Sequence, residues 1–320
     1  MSLSRRLFWL LTLSLCWLVA AAISLTVGSS GLWSWWDTSS TNEMTSMMLA
    51  LRMPRTLAAL GVGALLAIAG CMQQVLLRNP QADPYILGTA GAAGVGALLG
   101  MLFQFPNALI PWLAGLGALI SIFCVFALAG QDRSSAQTKV LLTGIALSSF
   151  CVAITSLLLS LAPDDRLRGM IFWLLGDISG AEGGKSLAVA LILIMVVWPF
   201  SRDLNRLSSG VMQAHSLGIN LQKLRYFLYV IVAMATAVAV ITAGAVGFVG
   251  LIIPHALRML IGHDHRYLIP ASALAGGTLL VLADTLGRTI IAPQQIPVGV
   301  ITALIGVPVF LWMLRKKWHQ

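Results

Sequence analysis

Apolar residues in this chain fall into ten runs, separated by polar, glycine-rich or proline-rich breaks, at 7–27, 56–77, 88–103, 110–129, 140–161, 187–200, 226–246, 249–260, 268–288 and 298–314. A helix needs about 20 apolar residues to cross the hydrocarbon core of a bilayer, and most of the runs approach that length. Amides in lipid have no water to bond to, so the runs must close their hydrogen bonds internally, as helices do. The pattern predicts an all-α polytopic membrane protein with about ten transmembrane helices. The run 249–260 is too short to cross alone, and Gly244, Gly250 and Pro254 interrupt the chain around it. Broken helices at membrane depth are tolerated where they line a cavity in protein, which suggests a pathway near 244–255.

One break stands apart. Residues 201–225, SRDLNRLSSGVMQAHSLGINLQKLR, carry Arg202, Arg206, Lys223 and Arg225 between apolar neighbours and must sit in water. Basic residues favour the cytoplasmic side of a membrane. With the N-terminus inside, fourteen basic and four acidic residues fall on the cytoplasmic side, against six and seven outside. The resulting charges, +10 and −1, make up the net +9 and place both termini in the cytoplasm. Because that charge sorts by side, it indicates a membrane surface and gives no reason to expect nucleic acid.

Composition leaves little room for a separate domain: of 320 residues, 58% are hydrophobic and 10% charged, so residues 1–320 read as a single transmembrane domain. Arg5 and Arg6 ahead of an apolar run resemble a secretory signal, yet the run at 7–27 is long enough to cross, and a retained helix is expected. Cys16, Cys71, Cys124 and Cys151 lie singly in predicted spans, the pattern of packing residues rather than of a disulfide framework or zinc site. Gly61, Gly63, Ala64 and Ala67, then Gly88, Gly91, Gly94, Gly96 and Gly100, mark faces on which helix backbones can approach closely.

Several constellations imitate chemistry. Residues 180–186, GAEGGKS, approach a phosphate-binding loop, but Ser179 stands where its first glycine belongs, so the chain carries no credible ATPase machinery. His263, Asp264, His265 and Arg266 look like a metal cluster but lack a nearby Cys or Glu, and a polar cytoplasmic turn is the better reading. Asp284 and Arg288 are four apart on one helix and can pair. A proton-coupled secondary carrier would need an intramembrane acid such as Asp284, although an acid within reach of an arginine makes a poor relay. A membrane-embedded enzyme would have His255 as its isolated candidate, for which helix packing is the simpler role.

The runs Arg52-Met53-Pro54-Arg55, Arg78-Asn79-Pro80 through Leu87-Gly88, Gly247 through His255 with Arg258, Asp264-His265-Arg266, and Ile296-Pro297-Val298-Gly299 with Thr302, Gly306 and Pro308 resemble the FecCD-type permeases. The resemblance covers about Arg52 to Leu314, in order. It implies the BtuC-like fold of type II ABC importer permeases, transport subunits in the inner membrane for ferric siderophores, vitamin B12 or haem. A ferric siderophore is the leading expectation for the cargo. The implied partners are a cytoplasmic ABC ATPase dimer, an extracytoplasmic substrate-binding protein and a second permease subunit, identical or related. ATP belongs to the ATPase, so the permease itself is expected to need no cofactor, metal or catalytic residue.

The same resemblance implies roles for particular residues. Gly210, Ala214, His215, Leu217 and Gly218 match the segment that forms short coupling helices docking into the ATPase. Arg52, Arg55 and Arg288 match positions that present arginines to acidic residues of the binding protein; snorkelling at a helix end is the competing role for each. Gln137 and Thr138 fall near the cytoplasmic gate. Gln295 departs from the family, which often has an acid there, and this puts any ionic role at that position in doubt.

Overall fold

The computed structural model describes residues 3–28, 31–32, 42–129, 136–181, 183–210, 216–217 and 219–317. Its helices are α1 (Leu3–Thr26), α2 (Asn42–Leu76), α3 (Thr89–Leu102), α4 (Ile110–Ala129), α5 (Ala136–Ser160), α6 (Asp164–Leu174), α7 (Lys185–Val197), α8 (Ser201–Ser209), α9 (Leu221–Ala243), α10 (Val249–Ile261), α11 (His265–Thr289) and α12 (Val298–Lys317). Among the described residues, seven helical segments are long and apolar enough to cross a membrane, and α3, α4 and α10 supply three shorter apolar helices. These ten segments coincide with the ten runs in the sequence. The only strands described, Val27–Gly28 and Gly31–Leu32, form one antiparallel pair.

At the centre stands α2, whose spanning part is 94% buried. It packs against α7, α9, α10 and α11, and its side chains from Ala58 to Leu76 form the middle of the main apolar cluster. Hydrophobicity does not drive helices together in lipid, so close approach and dispersion do that work. A Cβ at Gly63 would overlap the Gly276 carbonyl of α11, one at Gly70 the Gly250 carbonyl of α10, and one at Gly61 the backbone of Leu187 in α7.

Three boundaries differ from the pattern in the sequence. α2 begins at Asn42 and carries Pro54 inside it, whereas the apolar run starts only at residue 56. The short α6 occupies a stretch read as a connection, because Pro163 at its N-cap and Asp164 and Asp165 in its first turn favour helix initiation. The polar stretch from Ser201 is not wholly loop. α7 continues through the 3₁₀ turn Trp198–Phe200 into α8, which buries Leu204 and Leu207 and exposes Asp203 and Arg206.

The breaks obey backbone rules. Beyond α2, Arg78 takes a left-handed φ of 49°, and Asp83 caps the turn Pro84–Leu87 by accepting the Tyr85 amide at 2.7 Å. α9 stops at Gly244, whose φ of 67° suits glycine, and Phe248, also left-handed, opens α10.

Candidate functional site

Polar side chains gather at the two ends of the bundle, and a third set lies inside. At the end opposite the N-terminus, α1, α2 and α11 meet around Asp284. Arg55 on α2 grips this buried carboxylate with its fork: Nε donates to both oxygens at 3.0 Å and Nη2 to Oδ1 at 2.8 Å. Its Nη1 donates to Gln295 Oε1 at 2.9 Å, so the glutamine keeps the contact as a neutral acceptor. Arg288 is the weaker partner of Asp284, with Nε 3.7 Å from Oδ2, while its Nη2 donates to Ser24 O at 2.6 Å and Ser24 Oγ at 2.7 Å. Ser24 Oγ also meets Thr56 Oγ1 at 2.7 Å. Arg52 donates to the carbonyls of Leu25 and Thr26 at 3.0 and 3.1 Å, satisfying groups that the end of α1 leaves open.

The structure thus brings Arg52, Arg55 and Arg288 to one end of the bundle, Arg55 and Arg288 on Asp284 and Arg52 on the end of α1. Arg52 and Arg288 are buried at 8% and 4% exposure and bond within the chain. Asp284, which spacing linked to Arg288, belongs chiefly to Arg55. Nothing in the local sequence reveals that pair, whose members are 229 positions apart.

At the N-terminal end, Asp264 caps α11 and ties three helices together. Its carboxylate accepts from Arg6 Nη1 of α1 at 3.0 Å, from Asn205 Nδ2 of α8 at 2.9 Å, and from the backbone amide and guanidinium of Arg266. Arg6 also lies over the Tyr267 ring, 5.1 Å from its centroid. Burial opposes ionisation of Asp264, and the hydrogen bonds from Asn205 and Arg266 outweigh it, holding the carboxyl down at about 2. Asn205 Oδ1 accepts from both the backbone amide and Nδ1 of His265, at 2.9 and 2.6 Å. The histidine read from sequence as half of a polar turn is therefore a buried structural group. Asn205 was missed in the sequence because its partners lie 59 and 60 positions away.

Within the bundle, Gln74 of α2 reaches α10, which runs unbroken from Val249 to Ile261 although the sequence led us to expect a break at Pro254. Pro254 has no amide hydrogen and leaves the Gly250 carbonyl without its usual helical donor. Gln74 Nε2 lies 3.4 Å from that oxygen and donates to Leu251 O at 3.1 Å, while Gln74 Oε1 accepts from Arg258 at the other end of α10.

Of the residues assigned to ATPase coupling, Gly210 ends α8 with a φ of 147° and Leu217 is exposed. Ala214, His215 and Gly218 lie outside the described residues. Gln137 and Thr138 stand in the first turn of α5; Thr138 is exposed, and the side chain of Gln137 lies outside the described set.

Two results are expected from these clusters. Arg55→Leu strips the buried Asp284 of its main partner and should cost about 3 kcal/mol, the low end for a broken buried pair because Arg288 remains nearby; thermal unfolding in detergent measures it. Asp264 has a folded pKa below the ordinary unfolded value of about 3.9. Its stabilisation is therefore complete above that value and is lost as pH falls towards about 2. The melting temperatures of the wild type and Asp264→Asn should accordingly differ at pH 6 and converge on acidification.

The FecCD transport family model matches residues 11–316. The hemin transport system permease protein HmuU of Yersinia pestis is 37% identical over 294 residues, covering 89% of this chain and 88% of the relative. The vitamin B12 import system permease protein BtuC of Escherichia coli O17:K52:H18 is 37% identical over 317 residues, covering 96% and 95%. Among solved structures, an ABC transporter chain described as metal-chelate type, in an inward-facing conformation, superposes with a TM-score of 0.86 at 30% identity, covering 96% of this chain and 98% of that one. With residues 11–316 matched by the family model, the chain belongs to the FecCD transport family.

Proposed function

We propose that the protein is the permease subunit of a binding-protein-dependent ABC importer that carries a metal chelate across the inner membrane. The observation that carries the reading is the family match over residues 11–316, which takes in the spans, the short α10 and the polar segment after α8. The names of the relatives supply the cargo class: hemin and vitamin B12 are both bulky organic complexes of a transition metal. A ferric siderophore shares that chemistry, and these three are the candidate cargoes.

In this reading the N-terminal end of the bundle, where Arg6 and α8 meet Asp264, faces the cytoplasm. Gly210 releases the chain from α8 into the segment with Ala214, His215, Leu217 and Gly218, which docks on an ATPase dimer. The exposed Leu217 offers an apolar contact for that partner. The family relation supports a second permease subunit beside this one. The arginine-rich end receives the loaded binding protein. Of its three arginines, Arg55 keeps some access to solvent beyond its pair with Asp284, and its planar guanidinium suits the carboxylates of a docking partner. Arg55 is the most accessible of the three, while Arg52 and Arg288 act through the field they add. Gln137 and Thr138, at the start of α5, narrow the inner exit. Transport follows by alternating access as the two subunits rock, with ATP bound and hydrolysed on the partner.

The test is uptake into sealed vesicles holding this protein, its ATPase and its binding protein, with labelled ferric siderophore, haem and cobalamin compared. ATP-dependent accumulation of one of these ligands is expected. Uptake by the permease alone under a pH gradient would replace the reading with a secondary carrier.

A further inference from the structure

α3 gives way to α4 through residues 103–109, and α5 to α6 through 161–163. Both turns join apolar helices, and their open backbone groups place them where the bilayer meets water. A cavity of about 480 Å³ opens between the two turns. Its polar lining is Gln104 and Asn107 from the first turn and Asp165 and Arg166 from the start of α6. Gly169, one turn further along α6, also lines it, and a Cβ there would meet nothing within 4 Å.

Neutral groups fix Arg166 in the wall. Its Nη1 donates to the Leu102 carbonyl at 3.1 Å and to the side-chain oxygen of Gln104 at 3.0 Å. Neither acceptor carries a full charge. The carboxylate of Asp165 stays 3.8 Å from Arg166 Nε, and its side chain is 74% exposed. The cavity therefore presents a held cation beside an accessible anion.

The neighbouring surface narrows the choice of ligand. Ile110 opens α4 and lines the cavity, and from there Trp112, Leu116, Ile120 and Phe123 recur at intervals of three or four along one face of the helix. They are between 55% and 73% exposed, so in a bilayer that face meets hydrocarbon, with the tryptophan at the interfacial end. A polar cavity at the head of an apolar track suits an amphiphile with its charges at one end.

We propose that the cavity binds the headgroup of a phosphoethanolamine lipid, with the phosphate on Arg166, the ammonium on Asp165 and an acyl chain along Trp112, Leu116 and Ile120. The guanidinium fork matches phosphate oxygens. A primary ammonium has hydrogens to donate to Asp165 and to the amide oxygen of Asn107, which a quaternary ammonium lacks. The site depends on the chain spanning a membrane and is independent of the cargo.

Native mass spectrometry of the detergent-solubilised permease tests this, with dioleoyl phosphatidylethanolamine, phosphatidylcholine and phosphatidylglycerol offered in turn. The wild type should retain one phosphatidylethanolamine about fivefold better than either other lipid, the discrimination that a partly exposed ion pair supports. Asp165→Asn should erase the preference over phosphatidylcholine, and Arg166→Gln should weaken retention of all three lipids. If the lost bond to Leu102 unfolds Arg166→Gln, the exposed Asp165 still carries the test. Glycerophosphoethanolamine, the same headgroup without acyl chains, should not displace the lipid at equal concentration. Displacement would show a site for a soluble headgroup and overturn the lipid assignment. Equal retention of the three lipids by the wild type, a preference for phosphatidylglycerol, or a preference for phosphatidylethanolamine that survives Asp165→Asn would each overturn the proposal.

Discussion

The fold depends on the backbone of α2 lying directly against other backbones. Gly63 meets Gly276 of α11, Gly70 meets Gly250 of α10, and Gly61 meets the start of α7. A bilayer offers no hydrophobic reward for bringing helices together, so stability in lipid comes from dispersion at short range, which side chains larger than hydrogen would prevent. Once α2 is fixed in this way, the positions of α7, α10 and α11 follow, and the polar clusters at the two ends can form.

Those clusters fasten the same helices twice. Arg6 of α1 bonds to Asp264 at the start of α11, and Arg288 near its end bonds to Ser24 of α1. α1 and α11 are therefore pinned together at both membrane faces, with Arg55 adding α2 at one of them. α10 is held differently, through Gln74 and the carbonyls near Pro254, inside the bundle. Pro254 leaves a carbonyl in α10 that only protein can satisfy, and Gln74 of α2 brings a donor beside it.

Hydropathy alone located the ten apolar segments, because each crossing must be apolar over a fixed length. Gly244 set α10 off as a short helix by ending α9, whereas the break read at Pro254 is not found: α10 runs as one helix through it. The capping of α11 by Asp264 was half legible: a polar turn was expected, but not its bonds to Arg6 and Asn205. Pairings across the bundle leave no local trace, and so Asp284 read as a partner of Arg288 when Arg55 holds it more closely. α8 escaped for another reason. Its apolar positions, Leu204 and Leu207, are too few to register as a run, yet they suffice to lay one face of the helix on the core.

The dependence on backbone contact is open to a direct measurement: the melting temperatures, in one detergent, of Gly63→Ala and Gly169→Ala. A methyl at Gly63 would overlap the backbone of α11 and should lower stability by about 1–3 kcal/mol, a typical cost of overpacking. At Gly169 in α6 nothing lies within 4 Å, and the greater helix propensity of alanine should leave the melting temperature unchanged or raised. Equal melting temperatures for the two variants would contradict the account.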